Sequence, residues 1–311
     1  MGAGSKKNTN GNHQLNGEGN NKKNNDKQQI HNNKRCVYYS AALSSSQIDN
    51  LMYNSAMKRG FTHFLELLLI MTEKELRARY KHTVFGFFWL VANPLLQMLV
   101  IGFIFTFFMK EPILHYNYYL FVGLLVWNFF SLSLTKATPS IVFERSLIKK
   151  AVFPREVIPL SILLSNVVHF LAALILYAIP VAFLGTLTPL SIMYILAGLF
   201  LLFVFTIGIS LLTTALDVRF RDINFFVQAI LIIWFYATPI IYSFSVIPSK
   251  FIWLWRLNPL TSVVQLLQHA FVGTPLPGFE MLSINILTTI VVTAIGVGVF
   301  WKESKNFDDW V

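Results

Sequence analysis

Residues 158–184 read IPLSILLSNVVHFLAALILYAIPVAFL, a run without Asp, Glu, Lys or Arg. A helix of roughly 17–25 apolar residues crosses a bilayer, so this stretch predicts a membrane span. Two more uncharged stretches precede it, Phe85–Met109 and Tyr118–Leu134. Three follow it, Leu190–Leu212, Phe225–Ser243 and Met281–Phe300. The basic residues sort between alternate loops. Of the 25 Lys and Arg, 22 lie on the side of the N-terminus and three on the other. With only Lys74, Arg77, Arg79 and Lys81 kept from the segment before the first span, the ratio is still thirteen to three. Cytoplasmic loops carry the excess of Lys and Arg. The pattern predicts six spans with both termini in the cytoplasm, and an odd number would scramble it.

Composition agrees. The chain is 55% hydrophobic and 13% charged, the reverse of a soluble surface. The expected fold is an all-α polytopic membrane protein with one membrane domain and no second globular domain. The net charge of +10 does not point to nucleic acid. It lies beside the spans, where it sets topology and meets anionic lipid headgroups. The single cysteine, Cys36, excludes an intrachain disulfide and a Cys-based metal site.

Residues 1–45 form an Asn/Lys-rich tail, with ten Asn in the first 35 positions. Such a segment buries too little to offset its ordering entropy and is expected to be a disordered cytoplasmic extension. It lacks the apolar core and small-residue cleavage site of a signal peptide, so the first span directs insertion. Gly2 matches a myristoylation signal poorly, because position 6 is Lys. Residues 46–84 predict cytoplasmic amphipathic interface helices. One runs from Ser46 to Met57 and ends at Gly60. The next, Phe61–Tyr80, sets Phe61, Phe64, Leu65, Leu68 and Leu76 at helical spacing and suits the headgroup region. Residues 85–300 hold the six spans, and 301–311 a cytoplasmic C-terminal tail.

Three connections are informative. Thr135–Val157 is the largest cytoplasmic loop, and Leu147 and Ile148 beside Lys149 and Lys150 predict a short helix there. Pro154 cannot continue it. Between spans four and five, Asp217-Val218-Arg219-Phe220-Arg221-Asp222 reads either as a self-paired turn or as a docking knob. The outer loop, Phe244–Glu280, is long yet apolar. Asn258-Pro259 fits an N-cap and first helical position. Leu260–Val272 is too short to span, and Gly273, Pro275, Pro277 and Gly278 end it. This predicts short re-entrant helices dipping into the outer leaflet, or a Trp-rich interfacial anchor.

Chemistry is conspicuously lacking. There is no Gly-Lys of a P-loop, no Asp-x-Asp pair and no His-Glu-x-x-His. No Asp, Glu, Lys or Arg lies inside a span, where an ion-coupled transporter carries one. His169 is the titratable exception and reads as a packed, hydrogen-bonded neighbour. A membrane protein without its own energy coupling is passive or driven by a partner. The first two spans are rich in aromatics, among them Phe85, Phe88, Trp89, Trp127 and Phe130. Aromatic faces stack on sugar rings and leave a polymer free to slide. One stripe with Phe85, Phe88 and Trp89 is expected to guide such a chain, with lipid contact or helix packing as the alternative.

Ordered motifs carry a resemblance. Arg77-Ala78-Arg79-Tyr80-Lys81 leads into Gly86-Phe87-Phe88-Trp89 and Asn93-Pro94-Leu95. Gly123-Leu124-Leu125-Val126-Trp127-Asn128-Phe129-Phe130, Leu147-Ile148-Lys149-Lys150 and Phe153-Pro154-Arg155 follow. Phe220-Arg221-Asp222-Ile223, Thr238-Pro239-Ile240-Ile241-Tyr242 and Asn258-Pro259-Leu260 complete the series. Over residues 61–311 the chain resembles the permease subunit of polysaccharide-exporting ABC transporters of the ABC-2 class, which export O-antigen, capsule or teichoic acid. The resemblance implies a homodimer in the cytoplasmic (inner) membrane with two separate ABC ATPase subunits beneath it. This chain would carry no cofactor, metal or catalytic residue, and ATP and Mg would bind the partner. Leu147, Ile148, Lys150, Phe153, Pro154, Arg155, Phe220, Arg221 and Asp222 would form coupling helices on the ATPases. Arg79 and Lys81, at the cytoplasmic mouth, would attract the diphosphate of an undecaprenyl-type carrier bearing the glycan.

Two other readings stand beside it. One is an ABC-2 permease for a drug or simple lipid. The other is a membrane enzyme of envelope glycan assembly, for which Arg256, His269 and Glu280 are the available polar groups on the outer loop.

Overall fold

The computed structural model of this protein describes residues 45–80, 88–108, 113, 115–149 and 153–307. All regular elements among them are helical. The chain divides into two units, Met1–His63 and Phe64–Val311, and the second holds the bundle. In order, the helices are α1 (Ser45–Tyr80), α2 (Trp89–Phe108), α3 (Tyr116–Ala137), α4 (Ser140–Phe143), α5 (Arg145–Ile148) and α6 (Val157–Ala182). Then come α7 (Pro189–Arg219), α8 (Ile223–Tyr236), α9 (Ile252–Arg256), α10 (Pro259–Val272) and α11 (Phe279–Glu303). Short 3₁₀ turns lie at Phe244–Val246, Ser249–Phe251 and Ser304–Asn306. The expected tail disorder over residues 1–45 lies almost wholly outside the described residues.

Four helices are long and apolar enough to cross a membrane: α3, α6, α7 and α11, the last continuing to Asn306. The other two expected spans give shorter apolar helices over Ala92–Phe105 and Ile223–Tyr236. Thus α8 stops well before the expected Ser243. Its fourteen residues reach only about 21 Å, against about 30 Å of hydrocarbon. The cause is Pro239, which has no N–H to donate and biases Thr238 away from helix. Gly60, by contrast, does not end a helix, and α1 runs through it. A lone glycine costs about 1 kcal/mol in a helix, less than the break of two flanking turns.

From Phe64 onward α1 is apolar on two sides. Phe64, Leu67, Leu68 and Met71 pack against the bundle. Leu65, Leu69 and Ile70 face outward and are exposed. A helix with both faces apolar suits the boundary between protein and lipid.

The main core joins α3, α6, α7 and α10. Phe130 stacks on Phe205 with ring centroids 5.8 Å apart, and Phe129 lies between Phe170 and Phe203. Helix α10 is the most enclosed element. All its residues but His269 are buried, so it is a core helix and not a surface anchor. Asn258 caps it as its sequence suggests, its Oδ1 accepting from the Leu260 N–H at 3.2 Å. Gly273 ends it at φ 78°, a left-handed conformation that favours glycine.

Helices α7 and α11 approach most closely at Gly208, Thr293 and Gly296. A Cβ on Gly208 would sit 2.5 Å from the Thr293 Cα, and one on Gly296 would collide with the Gly208 carbonyl. Thr293 Oγ1 donates to the Val204 carbonyl at 3.1 Å. Small residues let backbones meet where no water drives helices together. Gly296→Ala is therefore expected to destabilise the protein by about 1–3 kcal/mol, measured as a lower melting temperature in detergent. Gly298→Ala, whose Cβ would meet nothing within 4 Å, should leave it unchanged.

Candidate functional site

Near the middle of α3 and α6, a cavity of about 130 Å³ opens between α1, α2, α3 and α6. Its polar wall is Arg79, Asn93, Asn128, Asn166 and His169, and its apolar wall includes Trp89 and Phe129. Arg79 Nη1 donates to His169 Nδ1 at 2.7 Å, and Nη2 to Asn166 Oδ1 at 2.6 Å. Asn166 Nδ2 donates in turn to Ser133 Oγ at 3.1 Å. Asn128 Nδ2 donates to Gln97 Oε1 at 3.1 Å. The guanidinium fork is thus held in one orientation by groups from α6. Arg is suited to this because its donors are fixed in a plane.

Where the charge lies is unexpected. Lys136 lies one turn beyond Ser133 on α3, and Arg79 reaches His169, about 18 Å along α6 from Val157. The cation arrives from α1, which sequence patterning assigns to the interface. Of the expected path residues, Trp89 lines the cavity and Phe88 is exposed. Phe85 and Lys81 lie outside the described residues. His169 is buried and hydrogen-bonded as its reading expected, whereas Asn128 and Asn166 were passed over in the sequence. Their signal was polarity within otherwise apolar spans, which marks functional positions more often than chance.

One end of the bundle carries both connecting loops. Leu147 and Ile148 do form a short helix, α5, with Ile148 buried and Leu147 half-buried. Phe153 packs beside them, Arg155 is half-buried and Pro154 exposed. Lys150 lies outside the described residues. In the second loop, Asp217 is buried and its Oδ1 accepts the Asn224 N–H at 3.0 Å, closing the turn into α8. Phe220, Arg221 and Asp222 are exposed at its tip. The two sequence readings of this loop therefore divide by residue: Asp217 closes the turn, while Phe220, Arg221 and Asp222 protrude. Phe143, in α4, is 78% exposed and was not singled out by sequence.

Both loops are tied to the end of α11. Arg155 donates to the Ser304 carbonyl, and Arg219 pairs with Glu303 at 3.8 Å. Phe307 is fully buried and packs edge-on against Phe300, 5.5 Å between ring centroids. Around them gather Met71, Ile141, Ile148, Val157 and Val218. A bond from Lys74 Nζ to Glu144, 2.6 Å long, links α1 to the first loop. One small apolar cluster thus holds α1, both loops and the C-terminal turn.

Arg256, His269 and Glu280 do not gather into one set. Arg256 pairs with Glu280 at 3.1 Å. His269 instead bonds through Nδ1 to the Thr274 carbonyl and meets Tyr194 edge-on at 5.0 Å.

A helical bundle with four helices long and apolar enough to cross a membrane is the architecture of a polytopic membrane protein. Residues 66–272 match the ABC-2 type transporter family, and the chain belongs to it. It is 35% identical over 255 residues to an O-antigen export system permease of Klebsiella pneumoniae, covering 81% of this chain and 97% of that protein. A permease of the same description from Myxococcus xanthus is 31% identical over 252 residues, covering 80% and 94%.

Removing the buried ring at the junction tests whether it holds both loops. Phe307→Ala should cost about 3–5 kcal/mol locally. Limited trypsin digestion of the membrane-embedded protein should then cut faster at Arg155 and at Arg219 or Arg221. Faster cutting at one loop alone would mean that the loops are held separately.

Proposed function

We propose that this chain is the membrane subunit of an ABC exporter that carries a polysaccharide of the O-antigen class across the cytoplasmic membrane. The observation that carries the reading is the 35% identity along 97% of an O-antigen export permease. Similarity of that extent leaves little of the relative without a counterpart. Capsule and teichoic acid are chemically akin cargoes, long glycans or polyol phosphates on a lipid. The working unit in this reading is a homodimer with two ABC ATPases, six spans per copy and both termini in the cytoplasm. The helices α9 and α10 form the re-entrant element of the outer side. In this topology the loop-bearing end faces the cytoplasm, which agrees with the 22 basic residues assigned to that side.

Each part of the site has a role in this scheme. Arg79, oriented by His169 and Asn166, attracts the diphosphate of the carrier lipid, with Lys81 nearby in sequence. Trp89 offers the first sugars a flat face on the same cavity. A polymer that slides must not be held tightly, and aromatic contacts are modest and interchangeable. The exposed Phe220, Arg221, Asp222 and Phe143 suit contacts with an ATPase. The buried Ile148 and half-buried Phe153 transmit its movement through their packed contacts with the bundle.

Export is measured as surface glycan per unit of membrane-inserted permease. Trp89→Leu keeps bulk but loses the flat face, and Arg79→Gln loses the charge. Each is expected to lower export at normal protein level, Arg79→Gln by about tenfold or more, as charged hydrogen bonds contribute about 1.5–3 kcal/mol. Wild-type export in both would remove the cavity from the mechanism.

Topology has a separate test. In a variant lacking Cys36, cysteines placed at Ser249 and Lys305 should react with an impermeant thiol reagent from outside and from inside, respectively. The reverse pattern would invert the scheme.

A further inference from the structure

A larger cavity, about 540 Å³, opens at the end of the bundle away from the two loops. It lies where α3, α10 and the start of α11 meet the segments around Ser243 and Pro275. Such a volume is in the range of small-molecule sites.

Its chemistry is specific. Gln265 is 9% exposed, lines the cavity, and has a buried Oε1 without a hydrogen-bond partner. A buried carbonyl oxygen in that state costs stability until a donor reaches it. Gln268, 1% exposed, lies one turn on and donates from Nε2 to the Tyr119 carbonyl at 3.4 Å. Among the described lining residues Arg256 is the cation, and it is paired with Glu280 at 3.1 Å, so the rim is formally neutral. Leu276 and Met281 supply an apolar wall. Neutral amides opposite an apolar wall fit a ligand with hydroxyl donors along its edge, a C–H face and no charge. An anion would find its cation already engaged and a carboxylate beside it.

We propose that this cavity receives a neutral pyranose unit of the exported glycan on the outer side of the membrane, the Gln265 amide turning so that its buried Oε1 accepts from a sugar hydroxyl. The inference rests on the polysaccharide-export reading. The site is separate from the Arg79 cavity and follows it in the transport path. A neutral sugar there holds the emerging chain against slipping back without the tight grip of a charge pair.

The test uses the full-length protein in lipid nanodiscs and short oligosaccharides cut from the strain's own surface glycan and freed of lipid. Saturation-transfer NMR reads contact between them. The wild type is expected to give transfer to sugar protons. Gln265→Leu should weaken binding about tenfold. Because Gln265 is buried and its variant can fail to fold, Ser245→Trp offers a second route. Ser245 is exposed and lines the cavity, so the indole blocks the entrance without touching the core, and transfer should be lost. Lys250→Ala, outside the lining residues, should bind as the wild type does. Equal transfer in the wild type and Ser245→Trp, or none in the wild type because the cavity holds water only, overturns the proposal. Deletion of the gene separates this failure from a broader one. Surface glycan that persists after deletion sinks the export reading and this inference with it. Glycan that disappears on deletion, with no transfer in the wild type, leaves export standing and removes only the cavity.

Discussion

In hydrocarbon a backbone carbonyl released from a helix has no water to turn to, and every break in the helical ladder must be covered by protein. Among the described residues such a break follows α8, within the bundle. Its carbonyls are taken up one by one. Asn258 Nδ2 donates to the Ala237 carbonyl at 3.2 Å. The Tyr119 hydroxyl donates to the Tyr242 carbonyl at 2.8 Å, and that of Tyr116 to the Ile241 carbonyl at 3.0 Å. The same Asn258 receives the Trp234 indole N–H at 3.0 Å and caps α10. Much of the arrangement around the break follows. Because α3 must reach the break with two tyrosines, α8 and α10 are drawn against it, and α10 is enclosed on nearly every side.

The other end of the bundle is organised by packing instead. Phe307 and Phe300 hold both loops and α1 in one apolar cluster, while Arg155 and Arg219 add polar ties to Ser304 and Glu303. Packed clusters switch between discrete arrangements more readily than they deform. A force on either loop is therefore felt by the end of α11. Helix α11 is in turn locked to α7 by the glycine contact at Gly208 and Gly296, so a movement of the loops carries two long helices together. For a subunit that lacks its own P-loop, this offers a physical route for a partner's work to enter the bundle.

The sequence made the long helices legible because charge is expensive in a membrane and its absence over twenty residues is unambiguous. The Asn258-Pro259 cap was equally plain, since both residues act locally. The shortness of α8 was readable in principle from Thr238-Pro239 but was masked by the apolar residues beyond. Other features depend on partners far away in sequence. Nothing in α10 alone distinguishes a leaflet anchor from a core helix. The glycines at 208 and 296 are ordinary until their helices are paired. Arg79 was legible as a cation near the mouth, but not as one placed beside His169, because that contact joins residues ninety positions apart.

That contact changes how the charge distribution is understood. A guanidinium inside a bundle is tolerated where hydrogen-bonding groups replace water, and here α6 supplies them from the uncharged side chains Asn166 and His169. Such a cation discriminates by charge alone, so it can select an anionic headgroup without regard to the sugar behind it. On the proposed export path, neutral sugar units that follow would give it no charge to hold, and they would meet Trp89 and then, at the far end, amides and an apolar wall. The order is cation, aromatic face, neutral amide. On the proposed path attraction would be strongest where a charged carrier is captured and weakest where a chain of many sugars has to keep moving, which is the gradient that export of a long polymer requires.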